Sequence, residues 1–337
     1  QVNPPTQFLN TPGGWAPIHE LSWNERTVVA NGDQGVASLT TPSGFGAVAF
    51  AQGDISDFLL AGALPRPARM TDPEGLASGA FAYELDLPAG GTAEVVALFP
   101  LHDPPREPGM PGDSETVRRY ADEMQRLAET RWKDRLDRVT IQLPDSDAVH
   151  ALKAQLAYVL VNRDGPAIQP GTRSYARSWI RDGSLTSSAL LRLGETGAVR
   201  DFLRWFAPNQ YANGKVPCCV DHRGADPVPE HDSHGELIYL VTEYYRYTGD
   251  RAFADSLWPH VVAAAGYLDT LRAQRRTPEW RAESGGKFFG LLPPSISHEG
   301  YSAKPMHSYW DDFWALRGYK DAVAIAQALG HAAEVRA

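Results

Sequence analysis

A chain of 337 residues with 32 Lys and Arg against 41 Asp and Glu carries a net charge of −9. That charge repels phosphate backbones, so nucleic acid is not an expected partner. Apolar residues make up 43%, enough for cores in two domains. No run approaches the roughly 20 apolar residues of a membrane span, which excludes a membrane-embedded helix. Cys218 and Cys219 are the only cysteines and are adjacent. Neighbouring cysteines close at best a strained disulfide, so neither a disulfide framework nor a four-ligand metal site follows. From Gln1 onward there is no signal-like apolar run, and the compartment stays open between cytoplasmic and periplasmic or secreted.

Residues 1–105 read as an antiparallel β-sandwich domain. Short apolar or alternating runs at Arg26–Ala30, Gly46–Ala51, Phe81–Leu87 and Ala93–Phe99 are separated by turn residues. Asn31-Gly32 and Ala89-Gly90-Gly91 have hairpin-turn chemistry. Residues 106–144 read as a linker: a Pro-rich stretch through Gly112, then an amphipathic helix from Asp113 to about Arg138, with Tyr120, Met124, Leu127, Trp132 and Leu136 on one face. Val139–Leu143 has the composition of one extended segment.

From Asp145 the periodicity becomes helical. Helices are expected from Asp145 or Ser146 through Leu160, over 182–193 and 195–206, through Leu237 to Tyr247 with Gly249 as the stop, over 250–274, and from about Trp310 to Leu329. Short turns alternate with long connections at 162–181, 207–232 and 276–308. Unstructured connections beyond about 12–15 residues are uncommon and usually functional. Helical hairpins joined this way stack around an axis with the long loops at one end, where a pocket can form.

Each long loop ends at a helix N-terminus bearing acids. The first carries Trp179, Arg181 and Asp182; the second Glu230, His231, Asp232, His234 and Glu236; the third His307, Tyr309, Trp310, Asp311 and Asp312. Acids at helix starts also cap free N–H groups, but three such clusters, two with Trp beside the acid, ask for more than capping. An indole stacks on the C–H face of a sugar, while guanidinium and carboxylate hold its hydroxyls. Glycoside hydrolysis needs one protonated carboxyl and a second carboxylate. Aromatic neighbours desolvate a carboxyl and raise its pKa. Successive helical residues point about 100° apart, so one of Asp311 and Asp312 faces a ligand. His231, Asp232 and His234 lack the spacing of a zinc site, and no metal or cofactor is expected. Tyr301 and Tyr309 are further candidate sugar platforms.

These segments resemble the six-hairpin glycosidases, the (α/α)6-barrel group that includes glucoamylases. The resemblance covers roughly 145–330, and the β-domain with its linker helix is similar to the arrangement of bacterial glucoamylases. Trp179-Ile180-Arg181-Asp182 resembles the family's Trp-x-Arg-Asp motif, which implies that Arg181 and Asp182 hold the sugar. Trp310-Asp311-Asp312 resembles its Trp-acid-acid segment, with Asp-Asp where glucoamylases have Glu-Glu. The resemblance implies Asp311 as proton donor and Asp312 as a ligand of a sugar hydroxyl; Glu230, in a cluster without a counterpart in the family, is the alternative donor. It also implies that 145–337 is part of a toroid, a partial six-hairpin barrel, and that the catalytic base comes from a later hairpin.

The expected function is therefore hydrolysis of oligo- or polysaccharide glycosidic bonds with inversion. Asp311 and Glu230 are the candidate catalytic acids, and Trp179, Arg181, Asp182, Asp232, Trp310 and Asp312 the candidate substrate-binding residues, with carbohydrate as partner. Three alternatives stand beside it on the same toroid: a polysaccharide lyase using Tyr309 with His307 or His231, a glycoside phosphorylase, and a catalytically silent sugar-binding module.

Overall fold

The computed structural model describes residues 17–67, 69–100, 113–171, 175–282, 286–296 and 304–331. The Pro-rich stretch 101–112 and Tyr301 lie outside them. The chain divides into two compact units, residues 1–133 and 134–337.

The first unit holds strands β1 (Glu20–Asn24), β2 (Thr27–Ala30), β3 (Gln34–Ser38), β4 (Gly44–Val48), β5 (Arg69–Thr71), β6 (Ser78–Ala82) and β7 (Ala97–Leu98), with a short helix α1 (Ile55–Leu60). Five strands form an antiparallel sheet in the order β5-β1-β2-β3-β7, and β4 pairs with β6. Leu21 and Val28 of the larger sheet share an apolar cluster with Phe45 and Ala47 of the smaller one. The rings of Trp23, Phe45 and Phe81 meet there at centroid distances of 5.3–5.5 Å. The Asn31-Gly32 turn joins β2 to β3, with φ of 54° and 85° at the two residues, the left-handed pair that suits the twist of a hairpin. The Asn31 side chain also accepts from His19 N at 2.9 Å and donates to Pro17 O at 2.7 Å. Ala89-Gly90-Gly91 likewise forms a turn, closed by Gly91 N donating to Pro88 O at 2.7 Å, but the residues beside it are not strands.

Helix α2 (Ser114–Leu136) spans the division between the units. The second unit contains α3 (Ser146–Val161), α4 (Ile180–Arg192), α5 (Thr196–Phe206), α6 (Ser233–Thr248), α7 (Arg251–Ala273), α8 (Pro278–Ala282) and α9 (Tyr309–Leu329), and three short strands, β8 (Ser178–Trp179), β9 (Cys219–Asp221) and β10 (Gly224–Ala225). Asp145 caps α3 by accepting from Asp147 N and Ala148 N. Val139–Leu143 is not a strand: among the described residues no partner pairs with it.

Helix α6 is the centre of this unit. Every residue from Ser233 to Tyr244 is buried, and the helix packs against α4, α5, α7 and α9. Its contact with α9 is closed by two glycines. A Cβ on Gly235 would fall 2.0 Å from the Trp314 carbonyl oxygen, and one on Gly318 would fall 2.7 Å from Gly235 Cα. Further along, Arg246 bonds Glu243 at 2.7 Å and Asp321 at 2.6 Å, tying the same two helices together. In an ordinary helix Gly→Ala stabilises by up to about 1 kcal/mol. Gly235→Ala is expected to do the reverse and cost at least the ~1–3 kcal/mol of an overpacked core, read as a lower calorimetric midpoint. An unchanged or raised midpoint would mean that the two backbones do not approach this closely.

Candidate active site

The entry to α4 is fixed by backbone pairing with the second long loop. Ser178 and Trp179 of β8 pair with Val220 and Cys219 of β9, and Ile180 N donates to Cys218 O at 3.0 Å. Arg177, just before β8, bonds Asp226 at 2.6 Å and pairs with Asp221 at 2.9 Å. Its guanidinium also lies 5.2 Å from the centroid of the Trp179 ring, and the Tyr175 ring stands 6.2 Å from that ring, tilted against it. These contacts aim the next residues of the chain, Arg181 and Asp182, at the N-terminal end of α6.

There the openings of three helices meet. Arg181 Nη1 donates to Glu230 Oε2 at 2.9 Å and to Asp232 Oδ2 at 3.0 Å. From the start of α9, Trp310 Nε1 donates to the same Asp232 Oδ2 at 2.7 Å. Residues 181, 230, 232 and 310, which stand at the ends of three long connections, thus form one bonded group. Asp182 stands within electrostatic reach of it, since its charge helps to raise the carboxyls of Glu230 and Glu236.

Burial decides the ionisation here. It pushes Glu230 up to about 7, against the pull of Arg181 and with a further push from Asp232. Burial likewise raises Asp232, opposed by Arg181 and by the Trp310 hydrogen bond, and raises Glu236 well above the usual carboxylate range, helped by Asp232. For Arg181, burial favours the neutral form but is outweighed by Asp232, Glu230 and Glu236, which hold the guanidinium charged. His231 is depressed to about 4, first by burial and then by Lys215. His234, wholly enclosed, is held well below its ordinary value, first by burial and then by His231. It accepts from Val216 N at Nδ1, 3.1 Å away, which places its proton on Nε2.

Asp311 and Asp312 take different positions. Asp311 is 1% exposed and its Oδ2 accepts from Ser295 Oγ at 2.5 Å. Asp312 Oδ1 accepts from Leu292 N at 2.9 Å, so this side chain clamps the third long loop; burial raises its pKa. Tyr309 is exposed beside Phe313, with the rings 6.3 Å apart. Two participants escaped the sequence reading. Glu236, seen only as one of a cluster of acids, is fully buried within electrostatic reach of the group. Ser295 reaches Asp311 from a loop whose sequence gives no sign of that contact.

Among the described residues one set of side chains has metal-ligand donors close together: Cys218, Cys219 and Asp226 bring theirs within 4.8 Å of one another. Asp226 is already engaged by Arg177, and hydrogen bonding to Cys219 followed by burial pushes the Cys218 thiol up, away from the thiolate a metal needs. These residues fit a closed, packed pair of thiols better than a metal. A cavity of about 610 Å³ lies in the first unit among Thr40, Thr41, Glu94, Ser114, Glu115 and Arg118, and none of the acids singled out from the sequence lines it.

No known family model matches the sequence. Over almost its whole length the chain has a glucoamylase-like fold. It superposes on the crystal structure of a bacterial glucoamylase complexed with acarbose with a TM-score of 0.62, at 14% identity, covering 96% of this chain and 46% of that one. The resemblance read from Trp179–Asp182 and Trp310–Asp312 therefore holds at the level of the fold. In sequence, the chain is 30% identical over 105 residues to an uncharacterized glycosyl hydrolase of Methanocaldococcus jannaschii, a match covering 31% of this chain and 17% of that protein. The chain thus spans less than half the length of either relative.

Proposed function

We propose that this protein is a glycoside hydrolase in which Glu230 protonates the departing sugar oxygen. The observation that carries the reading is the junction at Arg181. One guanidinium gathers two carboxyls from a second loop, an indole from a third joins them, and one of those carboxyls titrates near neutrality. A general acid has to keep its proton at the working pH, and burial supplies that to Glu230. Glu230 keeps partial access to solvent, with a side chain 12% exposed, whereas Asp311 is enclosed and bonded to Ser295. Glu230 is therefore the better placed of the two candidate acids. Arg181 and Asp182 bind hydroxyls of the sugar at the cleavage point, Trp179 and Trp310 stack on it, Asp232 holds Arg181 and Trp310 in place, and Asp312 secures the loop beside them.

In this reading the first unit is a β-sandwich domain joined by the linker helix to a helical domain built as part of an (α/α) toroid, and cleavage proceeds with inversion. Inverting enzymes leave roughly 6.5–9.5 Å between acid and base so that a water fits. The named glycosyl hydrolase relative and the acarbose bound by the glucoamylase point to carbohydrate as the ligand. The test is turnover of a panel of α- and β-glucosides by the intact protein and by Glu230→Gln and Asp311→Asn. Loss in Glu230→Gln alone supports the assignment, and loss in Asp311→Asn alone moves the acid to α9. Equal turnover in both variants and wild type excludes both acids, and no turnover of any glycoside by the wild type removes the hydrolase reading.

A further inference from the structure

Glu236 is fully enclosed, and among the described residues neither of its carboxyl oxygens has a hydrogen-bond partner. The same is true of Asp232 Oδ1, also fully enclosed. An enclosed polar atom left unpaired is costly enough that native structures contain few, and here three such oxygens belong to two residues one helical turn apart. Glu236 N donates to Asp232 O at 3.1 Å, and side chains four residues apart lie on the same face of a helix. The charged groups around Glu236 are Arg181 and Asp182 from α4, and Glu230 and Asp232 from the loop leading into α6. With Glu236 itself that is one guanidinium against four carboxyls, a balance that favours retaining a proton.

Of the two residues, Glu236 is the one to carry that proton. Asp232 Oδ2 already accepts from Arg181 and from Trp310, and two donors on one oxygen favour the ionised form. Glu236 has no donor of its own to stabilise a charge. We propose that Glu236 is a positioning residue: a neutral carboxylic acid that donates its hydrogen bond to Asp232 Oδ1, so that Asp232 stays ionised and holds Arg181 and Trp310 in register. The proton satisfies the free Asp232 oxygen and one Glu236 oxygen together. Its importance for turnover rests on the hydrolase reading above, but the hydrogen bond does not, so the test reads the bond directly.

The Trp310 indole N–H reports on Asp232. In protein labelled with 15N-tryptophan, its resonance is the one lost in Trp310→Phe. Glu236→Gln keeps a donor but can never ionise, and Glu236→Leu keeps the bulk without a donor. Hydrogen exchange at the indole is expected to stay within about twofold of wild type in Glu236→Gln. It is expected to accelerate about tenfold or more in Glu236→Leu, the scale of leaving an enclosed acceptor unpaired. Glu236→Leu exchanging like wild type, or Glu236→Gln disturbing the indole as strongly as Glu236→Leu, would overturn the proposal. If Glu236→Leu does not fold, infrared difference spectra of Glu236→Gln against wild type decide. Loss of one protonated-carboxyl band supports the neutral acid, and no loss overturns it. A wild type that turns over no glycoside would remove the hydrolase reading and leave these outcomes as they stand.

Discussion

Glu230→Gln is expected to cut glycoside turnover by about 10²–10⁴-fold, the usual contribution of a positioned general acid, and at the same time to stabilise the protein at pH 8. The two effects have one cause. Burial raises Glu230 from its ordinary 4.5 to about 7 in the folded state, which is what lets it carry a proton to the leaving group. The same shift costs folding free energy. Below pH 4.5 the folded and unfolded chains both hold the proton, and there is no penalty. Between pH 4.5 and about 7 the unfolded chain releases it and the folded chain does not, so stability falls as pH rises; above about 7 the full penalty is present. Gln escapes that penalty, and its amide oxygen still accepts from Arg181. The variant should therefore gain on the order of 3 kcal/mol at pH 8 and nothing at pH 4, read by urea denaturation at the two values. In the wild type, kcat/KM should fall as pH rises past about 7. A wild type and variant of equal stability at pH 8 would show that Glu230 gives up its proton as easily in the fold as outside it.

The helices were legible because their signals are local. The apolar stripes of α5 and α7 and the stop at Gly249 lie within a few residues of one another, and the expected bounds fall close to the observed ones. The connection read over 207–232 ends where α6 begins, at Ser233, but the burial of its first turn is another matter: Ser233 to Glu236 is polar and yet buried. No hydrophobic pattern marks buried polar residues. The strands were less legible. Ser78–Ala82 ends where its partner β4 begins, at Gly44, although the alternation in sequence runs on to Leu87; β3, Gln34–Ser38, is too small and polar to announce itself. The site divides the same way. Trp179, Arg181, Asp182, Glu230, Asp232 and Trp310 stand out because uncommon residue types crowd at helix openings. That Arg181 bonds Glu230 and Asp232, and that Asp311 faces Ser295 while Asp312 faces the Leu292 backbone, depends on how loops return to one another, which spacing along a chain does not encode.

Arg181→Met is expected to be among the most damaging single changes in the second unit, costing about 3–5 kcal/mol at neutral pH. Its guanidinium is a positive group that acts on the carboxyls of Glu230, Asp232 and Glu236 alike. Methionine fills similar space but takes from Asp232, fully enclosed, the charged donor on its Oδ2 and leaves Trp310 there. The carboxyls can answer only by taking up protons, so the loss should be smaller at pH 5 than at pH 8, and denaturation at both values checks the sign. Arg181→Lys should recover part of it, because both bonds leave from a single nitrogen, Nη1, and an ammonium has donors for two acceptors. The double variant Arg181→Met/Glu230→Gln separates charge from packing. If Arg181 acts mainly by neutralising its neighbours, removing the Glu230 charge should return a coupling of about 0.5–3 kcal/mol, and at pH 5, where Glu230 already holds its proton, that coupling should shrink. Strictly additive effects at pH 8 would mean that Arg181 stabilises this junction by filling space.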